Sequence, residues 1–275
     1  MNPDTSGNLI SKTSDGFFPK EMQHFQRYIY QDRQRARICV MKDNIDTNEI
    51  AKFDSLAANW WDPDGEFRPL HDINPLRLDW IRQRAHLPGN KVVDIGCGGG
   101  ILTESMASKG AVVSGIDMAE KPLGVARLHQ IESGTDIEYI QCTAESLASD
   151  RAGEYDIVTC LEMLEHVPSP SNVIAACQKL ARPGGDVFFS TINRNPKSFL
   201  FAIVGAEYML KLLPQGTHEY DKFIRPSELE SWARTSGLQL KDSIGMHYNP
   251  LLREYTLGPN IDVNYLMHFR KPETV

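Results

Sequence analysis

The chain has 275 residues, of which 41% are hydrophobic, and its formal net charge at pH 7 is −7. This length is enough to bury a full core and is most simply one α/β domain with insertions. The acidic balance argues against a dedicated nucleic-acid-binding protein, because such proteins usually present a net basic surface. The sequence has no uninterrupted run of 18 apolar residues and no apolar signal-peptide region at its start. We therefore expect a cytoplasmic protein, either free or peripheral on a membrane.

The cysteines show neither metal-ligand spacing nor the density of a disulfide framework. Several lie in apolar strand or helix contexts, which is typical of reduced thiols buried in a cytoplasmic protein. These residues are Cys39, Cys97, Cys142, Cys160 and Cys177.

Residues 1–44 have the weakest pattern, and we expect a flexible N-terminal extension. Their basic part, with Arg27, Arg33, Arg35 and Arg37, is consistent with an arm that meets anionic lipid. We favour a plainer interpretation. Either these residues are an extension without a role, or the start of the protein is mis-assigned and Met41 is its first residue.

Residues 45–90 are expected to form a helical cap and a loop. Apolar residues recur at helical spacing from Ile50 to Leu56, and three prolines and a glycine in residues 62–78 predict a loop or turns. Such a loop would precede the first strand and cover a ligand. Arg77 within it has a guanidinium fork suited to a carboxylate; alternatively it pairs with an acid on the surface.

The segment Lys91 to Gly100, KVVDIGCGGG, reads as a buried strand, a glycine turn and a helix N-terminus. Glycines such as Gly96 let a ligand lie against the backbone. A second strand, residues 112–117, ends in Asp117, which is 21 residues after Gly96. This is about the spacing at which a doubly wound sheet places a carboxylate on ribose hydroxyls.

A dinucleotide-binding site is the obvious competitor, but the glycine spacing argues against it. The third glycine of G-x-G-x-x-G is replaced by Ile101, and Asp94 precedes the turn. A carboxylate there would repel a pyrophosphate but suits a cationic ligand.

The D-x-G-x-G-x-G arrangement with Asp117 resembles the class I S-adenosylmethionine-dependent methyltransferases. The stretch AKFDSLAANWWDPDGEFRPLHDINPLRLDWI, followed by DIGCGGGILTESMA, is similar to the ubiquinone-biosynthesis O-methyltransferases of Gram-negative bacteria, over about residues 45–271. The resemblance implies a Rossmann-like domain over residues 91–275, with an insertion at about 195–224. Its sheet would be seven-stranded and mostly parallel with an antiparallel last strand, closed by an N-terminal helical cap and an inserted apolar helix.

The resemblance also implies roles in binding S-adenosylmethionine. Arg77 is expected at its carboxylate, Gly96 at its methionine moiety, Asp117 at its ribose, and Leu161 beside its adenine or sulfonium. The remaining periodic segments fit the same fold: strands at 137–140, 155–160, 187–191, 238–246 and 263–269, and helices at 122–132, 171–180 and 226–235.

Three polar side chains lie in LEMLEHVPSP, beyond the carboxyl end of the fourth strand, where open parallel sheets bind ligands. Methylating a phenol requires its deprotonation, and His166 is our candidate general base. Alternatively Glu162, Glu165 and His166 hold Mg²⁺, which would bind both oxygens of a catechol, as in eukaryotic relatives. A third interpretation makes Glu165 a helix-start carboxylate and His166 a structural histidine.

Residues 199–213 are apolar on nearly every side but too short to span a bilayer. They suit an interfacial helix or a lid over a prenyl tail; a helix buried against the core explains them equally well. The resemblance favours the first, because it implies a polyprenylated catechol or quinol that resides in the bilayer. We thus expect a peripheral enzyme on the inner face of the cytoplasmic membrane, with other ubiquinone-biosynthesis proteins as further partners. The alternatives are a methyltransferase of another small phenol or amine and a non-catalytic member of a biosynthetic complex.

Overall fold

The computed structural model describes residues 44–196, 198, 220–249 and 251–273. They belong to one compact unit that spans residues 39–275. Most of the predicted extension, and the apolar segment 199–213, lie outside the described residues. Asn44, assigned to the extension, is part of the fold. Its amide group donates to Glu145 Oε1 and accepts from the Ser169 backbone N–H, both at 2.7 Å.

Within the described ranges, eight strands form one sheet in the order β3-β2-β1-β4-β5-β8-β6-β7. The first five are mutually parallel, β8 is antiparallel to β5, and β6 is antiparallel to both β8 and β7. The bounds are β1 Lys91–Ile95, β2 Val112–Asp117, β3 Ile137–Gln141, β4 Tyr155–Leu161, β5 Ala181–Ile192, β6 Gln239–Asn249, β7 Glu254–Gly258 and β8 Asn264–Arg270.

Helices cover both faces of this sheet, as a parallel sheet requires. They are α1 Thr47–Leu56, α2 Arg68–Arg82, α3 Ile101–Ala107, α4 Glu120–Ser133, α5 Ala144–Asp150, α6 Pro170–Leu180 and α7 Pro226–Thr235, with single 3-10 turns at Ala57–Asn59, Leu164–His166 and Tyr220–Lys222. Alternate residues of β1 point to opposite faces: Val93 joins the core under α5, α6 and α7, and Val92 joins the core under α2, α3 and α4. No helix in the described part of the chain is long and apolar enough to cross a bilayer.

The predicted mostly parallel sheet with an antiparallel end is confirmed, but its strand count of seven is wrong by one. The additional strand, β7, lies between the two strands predicted at residues 238–246 and 263–269. It contributes Tyr255 and Leu257 to the edge of one core. A five-residue edge strand with one largely solvated face gives too few alternating positions to be recognised.

The prediction of a loop over residues 62–78 is also wrong in part, because residues 68–78 belong to helix α2. Pro69 stands in the first turn, where its missing N–H is not needed, and Pro75 is tolerated inside the helix. Burial of Trp80, Ile81 and other apolar side chains outweighs the cost of the internal proline. Arg77 therefore projects from a helix rather than from a loop.

The four described cysteines, Cys97, Cys142, Cys160 and Cys177, are all free and buried. This confirms the prediction of reduced core thiols for these positions; Cys39 lies outside the described residues.

Candidate active site

A cavity of about 190 Å³ opens at the carboxyl ends of β1, β2 and β4. Its floor is formed by the glycine turn after β1 and by the ends of the neighbouring strands, and its roof by α1, the Trp60 region and α2. Gly96, Asp117, Leu161, Glu162 and His166 all line it. The topology thus brings together, at the edge where open α/β sheets bind ligands, most of the residues that the sequence singled out.

The glycine turn has no room for side chains. Gly96, Gly98 and Gly100 have φ values of +72°, +52° and +88°, which L-residues rarely adopt. A Cβ on Gly96 would lie 2.5 Å from Met163 Cγ, and one on Gly98 would lie 2.2 Å from Trp60 Cζ2. The turn therefore presents bare backbone to the cavity.

Two carboxylates hold this turn in place. Asp94 accepts hydrogen bonds from the hydroxyls of Thr103 and Thr159, both at 2.7 Å. Its burial raises its pKa to about 6, so it remains mostly ionised at pH 7. Asp117 accepts from the backbone N–H of Gly98 at 2.9 Å and of Ala119 at 2.8 Å. The end of β2 is thereby tied to the glycine turn.

Arg77 meets Glu162 across the cavity. Nη2 of Arg77 donates to Oε1 of Glu162 at 2.6 Å, and Glu162 also accepts from the Ser190 hydroxyl at 2.7 Å and from Asn264 Nδ2 at 3.0 Å. The alternative of a surface ion pair is wrong, because Arg77 is only 6% exposed. Its buried Nε has no hydrogen-bond partner among the described residues.

His166 lies on the opposite wall, in the 3-10 turn after β4. Its Nδ1 is 3.0 Å from Oε2 of Glu49 on α1, and Phe53 meets the ring edge-on with centroids 5.2 Å apart. Burial alone would lower the pKa of His166, but the bond to Glu49 and the charge of Glu165 outweigh it and the pKa is raised. The same pairing lowers the pKa of Glu49 to about 2, so Glu49 is ionised at any physiological pH.

Glu165 turns away from the cavity. It is buried, and its Oε2 accepts from the Thr191 hydroxyl at 2.8 Å. Burial, and then the charge of Glu162, raises its pKa to about 7.

The predicted metal set of Glu162, Glu165 and His166 is not brought together in this arrangement. Each of the three side chains is directed to its own protein partners. In the part of the chain that the structure describes, no three His, Cys, Asp or Glu side chains are grouped to hold a metal ion.

The part of the cavity lining near the ends of β2 and β4 is apolar. Leu161 belongs to it together with Met118 and Cys142; the place of Leu161 beside the adenine or sulfonium stays a prediction. Thr143 caps α5 by accepting from the Ser146 N–H at 3.1 Å, which turns the chain sharply after β3. The turn after β3 borders the cavity, with Cys142, Thr143 and Ala144 in its lining.

Several residues of this site were missed from the sequence. Trp60 covers Gly98 and Gly99, and Trp61 donates from Nε1 to the Gly99 carbonyl at 2.8 Å. The ring of Trp61 stacks on His129 with centroids 3.4 Å apart. The only signal was that the tryptophan pair ended the first helical segment; nothing local linked it to the glycine turn.

The comparisons with known proteins agree with this geometry. A family model described as a methyltransferase domain matches residues 70–242. A protein of Pseudomonas fluorescens is 62% identical over 230 residues, covering 84% of this chain and 99% of the relative, and one of Hahella chejuensis is 64% identical over 230 residues, covering 84% and 97%. Both are named ubiquinone biosynthesis O-methyltransferase. The chain belongs to the ubiquinone biosynthesis O-methyltransferase family.

Solved structures support the fold of this family member. The magnesium protoporphyrin IX methyltransferase of Synechocystis with bound S-adenosylhomocysteine superimposes with a TM-score of 0.62 at 20% identity, covering 82% of this chain and 99% of that one. The class I methyltransferase fold expected from the sequence is thus confirmed.

The cavity fits the cofactor of this fold, S-adenosylmethionine. Gly96 and Gly98 border the cavity where its methionine moiety would lie, and Arg77, which also lines the cavity, has a guanidinium suited to its carboxylate. The carboxylates of Asp94 and Glu162 favour its cationic groups. Asp117 would hold the ribose, and Leu161 the apolar side of the adenine or sulfonium.

Proposed function

We propose that this chain transfers a methyl group from S-adenosylmethionine to a phenolic hydroxyl of a polyprenylated catechol or demethylubiquinol in ubiquinone biosynthesis. The observation that carries the proposal is one cavity lined both by the glycine turn with Asp117 and by His166. The high identity to relatives of that name supports the choice of acceptor.

The bound cofactor would supply an electrophilic methyl group on a sulfonium. The chain's own residues must then orient the acceptor and remove its proton, because a phenol is a poor nucleophile at neutral pH. His166 is the titratable side chain of the cavity with a pKa closest to neutrality in its ordinary state, and we assign it this role. Trp60 and residues of α2 line the cavity, where they would shield the reacting atoms from water.

We also place the enzyme peripherally at the cytoplasmic face of the membrane, because the prenyl tail holds the acceptor in the bilayer. One described feature supports this. β6 runs parallel to β5, so the β6–β7 turn lies at the same sheet edge as the cavity. There Leu251 is 92% and Leu252 66% exposed, beside the exposed cation Arg253, a composition suited to a bilayer interface. Other proteins of the pathway would meet the enzyme at this surface.

The test is methyl transfer from labelled S-adenosylmethionine to a short-chain demethylubiquinol in detergent, with and without chelator, and with Mg²⁺ restored. His166→Ala is compared with His86→Ala, an exposed histidine outside the site. We expect product with the wild type and His86→Ala and a loss of at least about 100-fold with His166→Ala.

Each other outcome changes one part of the proposal. Product that disappears with chelator and returns with Mg²⁺ would favour the metal set of Glu162, Glu165 and His166 over a simple base. Equal activity on an acceptor without a prenyl chain would favour another small phenol or amine. Cofactor binding without product on any acceptor would favour a non-catalytic member of a complex.

A further inference from the structure

We propose that Glu49 is a positioning residue for methyl transfer: it fixes the imidazole of His166 so that Nε2, and not Nδ1, is the nitrogen available to the acceptor. The inference rests on the proposed function and extends it to a residue of the N-terminal cap, outside the sheet and the glycine turn.

Contact geometry is the first argument. Glu49 is in the first turn of α1, and its Oε2 lies 3.0 Å from Nδ1 of His166. The side chains are 16% and 25% exposed, so water competes only weakly for this hydrogen bond. One turn further along α1, Phe53 packs edge-on against the imidazole at an interplanar angle of 83°. Helix α1 therefore fixes both the position and the plane of the ring.

Hydrogen-bond chemistry then selects the tautomer. An ionised carboxylate only accepts hydrogen bonds, so Nδ1 of His166 must carry a hydrogen to donate to Glu49. In the neutral ring, Nε2 is then the nitrogen with the lone pair. Both His166 and Glu49 border the cavity. The ring is thus held from the α1 side through Nδ1, which leaves Nε2 as its proton-accepting atom.

The carboxylate itself is held by two lysines. Nζ of Lys222 lies 3.4 Å from Oε1 of Glu49, and Nζ of Lys52 lies 3.8 Å from Oε2. Lys222 also reaches Asp46, the N-cap of α1, at 3.5 Å. These contacts keep Glu49 ionised and restrict its rotamer. A control on the same helix is Ser55, which is exposed, does not line the cavity and donates its hydroxyl to the Lys52 carbonyl at 2.7 Å.

The experiment compares Glu49→Ala, Glu49→Gln and the control Ser55→Ala in the full-length chain. Steady-state kinetics with both substrates varied, calorimetric binding of S-adenosylmethionine and thermal unfolding are measured for each. We expect Glu49→Ala to lower kcat at least tenfold, with the KM for the quinol and the Kd for the cofactor within threefold of wild type. Glu49→Gln should recover most of kcat, because its amide oxygen accepts the same hydrogen bond; Ser55→Ala should leave kcat within twofold.

A second readout does not depend on turnover. With ¹⁵N-labelled histidine, the resonances of His166 are identified by their loss in His166→Ala, and they report which ring nitrogen carries the hydrogen. We expect a single Nδ1–H tautomer in the wild type and in Glu49→Gln, and a mixture in Glu49→Ala. If the wild type methylates no quinol, the proposed function fails, and the tautomer shift still decides whether Glu49 controls His166.

Three results would overturn the proposal. The first is a wild-type kcat in Glu49→Ala. The second is a joint decline of kcat, cofactor affinity and melting temperature in that variant, which indicates a structural role only. The third is a Glu49→Gln variant no better than Glu49→Ala, or an unchanged tautomer in Glu49→Ala.

Discussion

Gly98→Ala should weaken S-adenosylmethionine binding at least tenfold, because the glycine turn would have to move. Gly98 has φ +52°, and an added Cβ would lie 2.2 Å from Cζ2 of Trp60. Left-handed backbone costs an L-residue about 1–2 kcal/mol, and overpacking against a rigid side chain costs about 1–3 kcal/mol. The folded state should therefore lose roughly 2–5 kcal/mol unless the turn or the indole shifts.

Two other glycines separate these contributions. Gly89 has φ +74° with no heavy atom within 4 Å of an added Cβ, so Gly89→Ala should carry the backbone cost alone. Gly99 is not left-handed, but its Cβ would lie 2.3 Å from Trp60, so Gly99→Ala isolates the steric clash. Gly98→Ala combines both and should be the least stable of the three.

Urea unfolding gives the stabilities, and isothermal titration calorimetry gives the affinity for S-adenosylmethionine. Gly89→Ala should bind the cofactor like wild type, whereas Gly98→Ala and Gly99→Ala should bind it more weakly. In a Trp60→Ala background, Gly98→Ala should cost less stability than it does in the wild type, because the clashing ring is gone. The reasoning is refuted if Gly98→Ala keeps wild-type affinity, or if Gly89→Ala loses as much affinity as Gly98→Ala.

Three further results are expected from the same structure. Arg77→Met leaves the carboxylate of Glu162 without its cation, so it should cost about 3–5 kcal/mol in urea unfolding and weaken cofactor binding; wild-type values for both would contradict the buried pair. The raised pKa of Glu165, about 7, means that the folded state holds this proton more tightly than the unfolded state, so stability falls as pH rises from about 4.5 to 7. Glu165→Gln should remove this fall. The melting temperature of the variant minus that of the wild type should therefore increase from pH 5 to pH 8, and a difference that stays constant would show that Glu165 does not titrate in this range. Leu251→Asp combined with Leu252→Asp should reduce sedimentation with anionic vesicles without changing activity in detergent, and unchanged sedimentation would exclude this turn as the membrane contact.

Local patterns predicted the centre of the fold well. The strand before Gly96 and the strand ending at Asp117 are short and apolar, and each ends in residues with a specific backbone or charge requirement. Their pairing in register, with Val92 opposite Val113 and Ile95 opposite Ile116, follows from the parallel topology that such a strand, turn and helix imply.

The errors arose where tertiary packing overrides local preference. Pro75 predicted a break, yet α2 continues through it because one side of the helix is buried against the sheet. Strand β7 has one partner and a solvated face, so its alternation is weak. The continuation of α2 and the formation of β7 both depend on contacts with residues distant in the sequence. A local pattern reports only on neighbouring residues.

The same limit explains why the site was only half predicted. Glu49 and His166 are separated by 117 positions, and Arg77 and Glu162 by 85; no periodicity connects such pairs. What unites them is the cap before β1, which places Trp60 over the glycine turn and Glu49 against His166. The sheet and its turn supply a methyl-donor site of the kind found throughout this fold class, whereas the cap closes that site and orients the side chain assigned to the acceptor. Substitutions in α1 should therefore separate cofactor binding from turnover, which substitutions in the glycine turn cannot do.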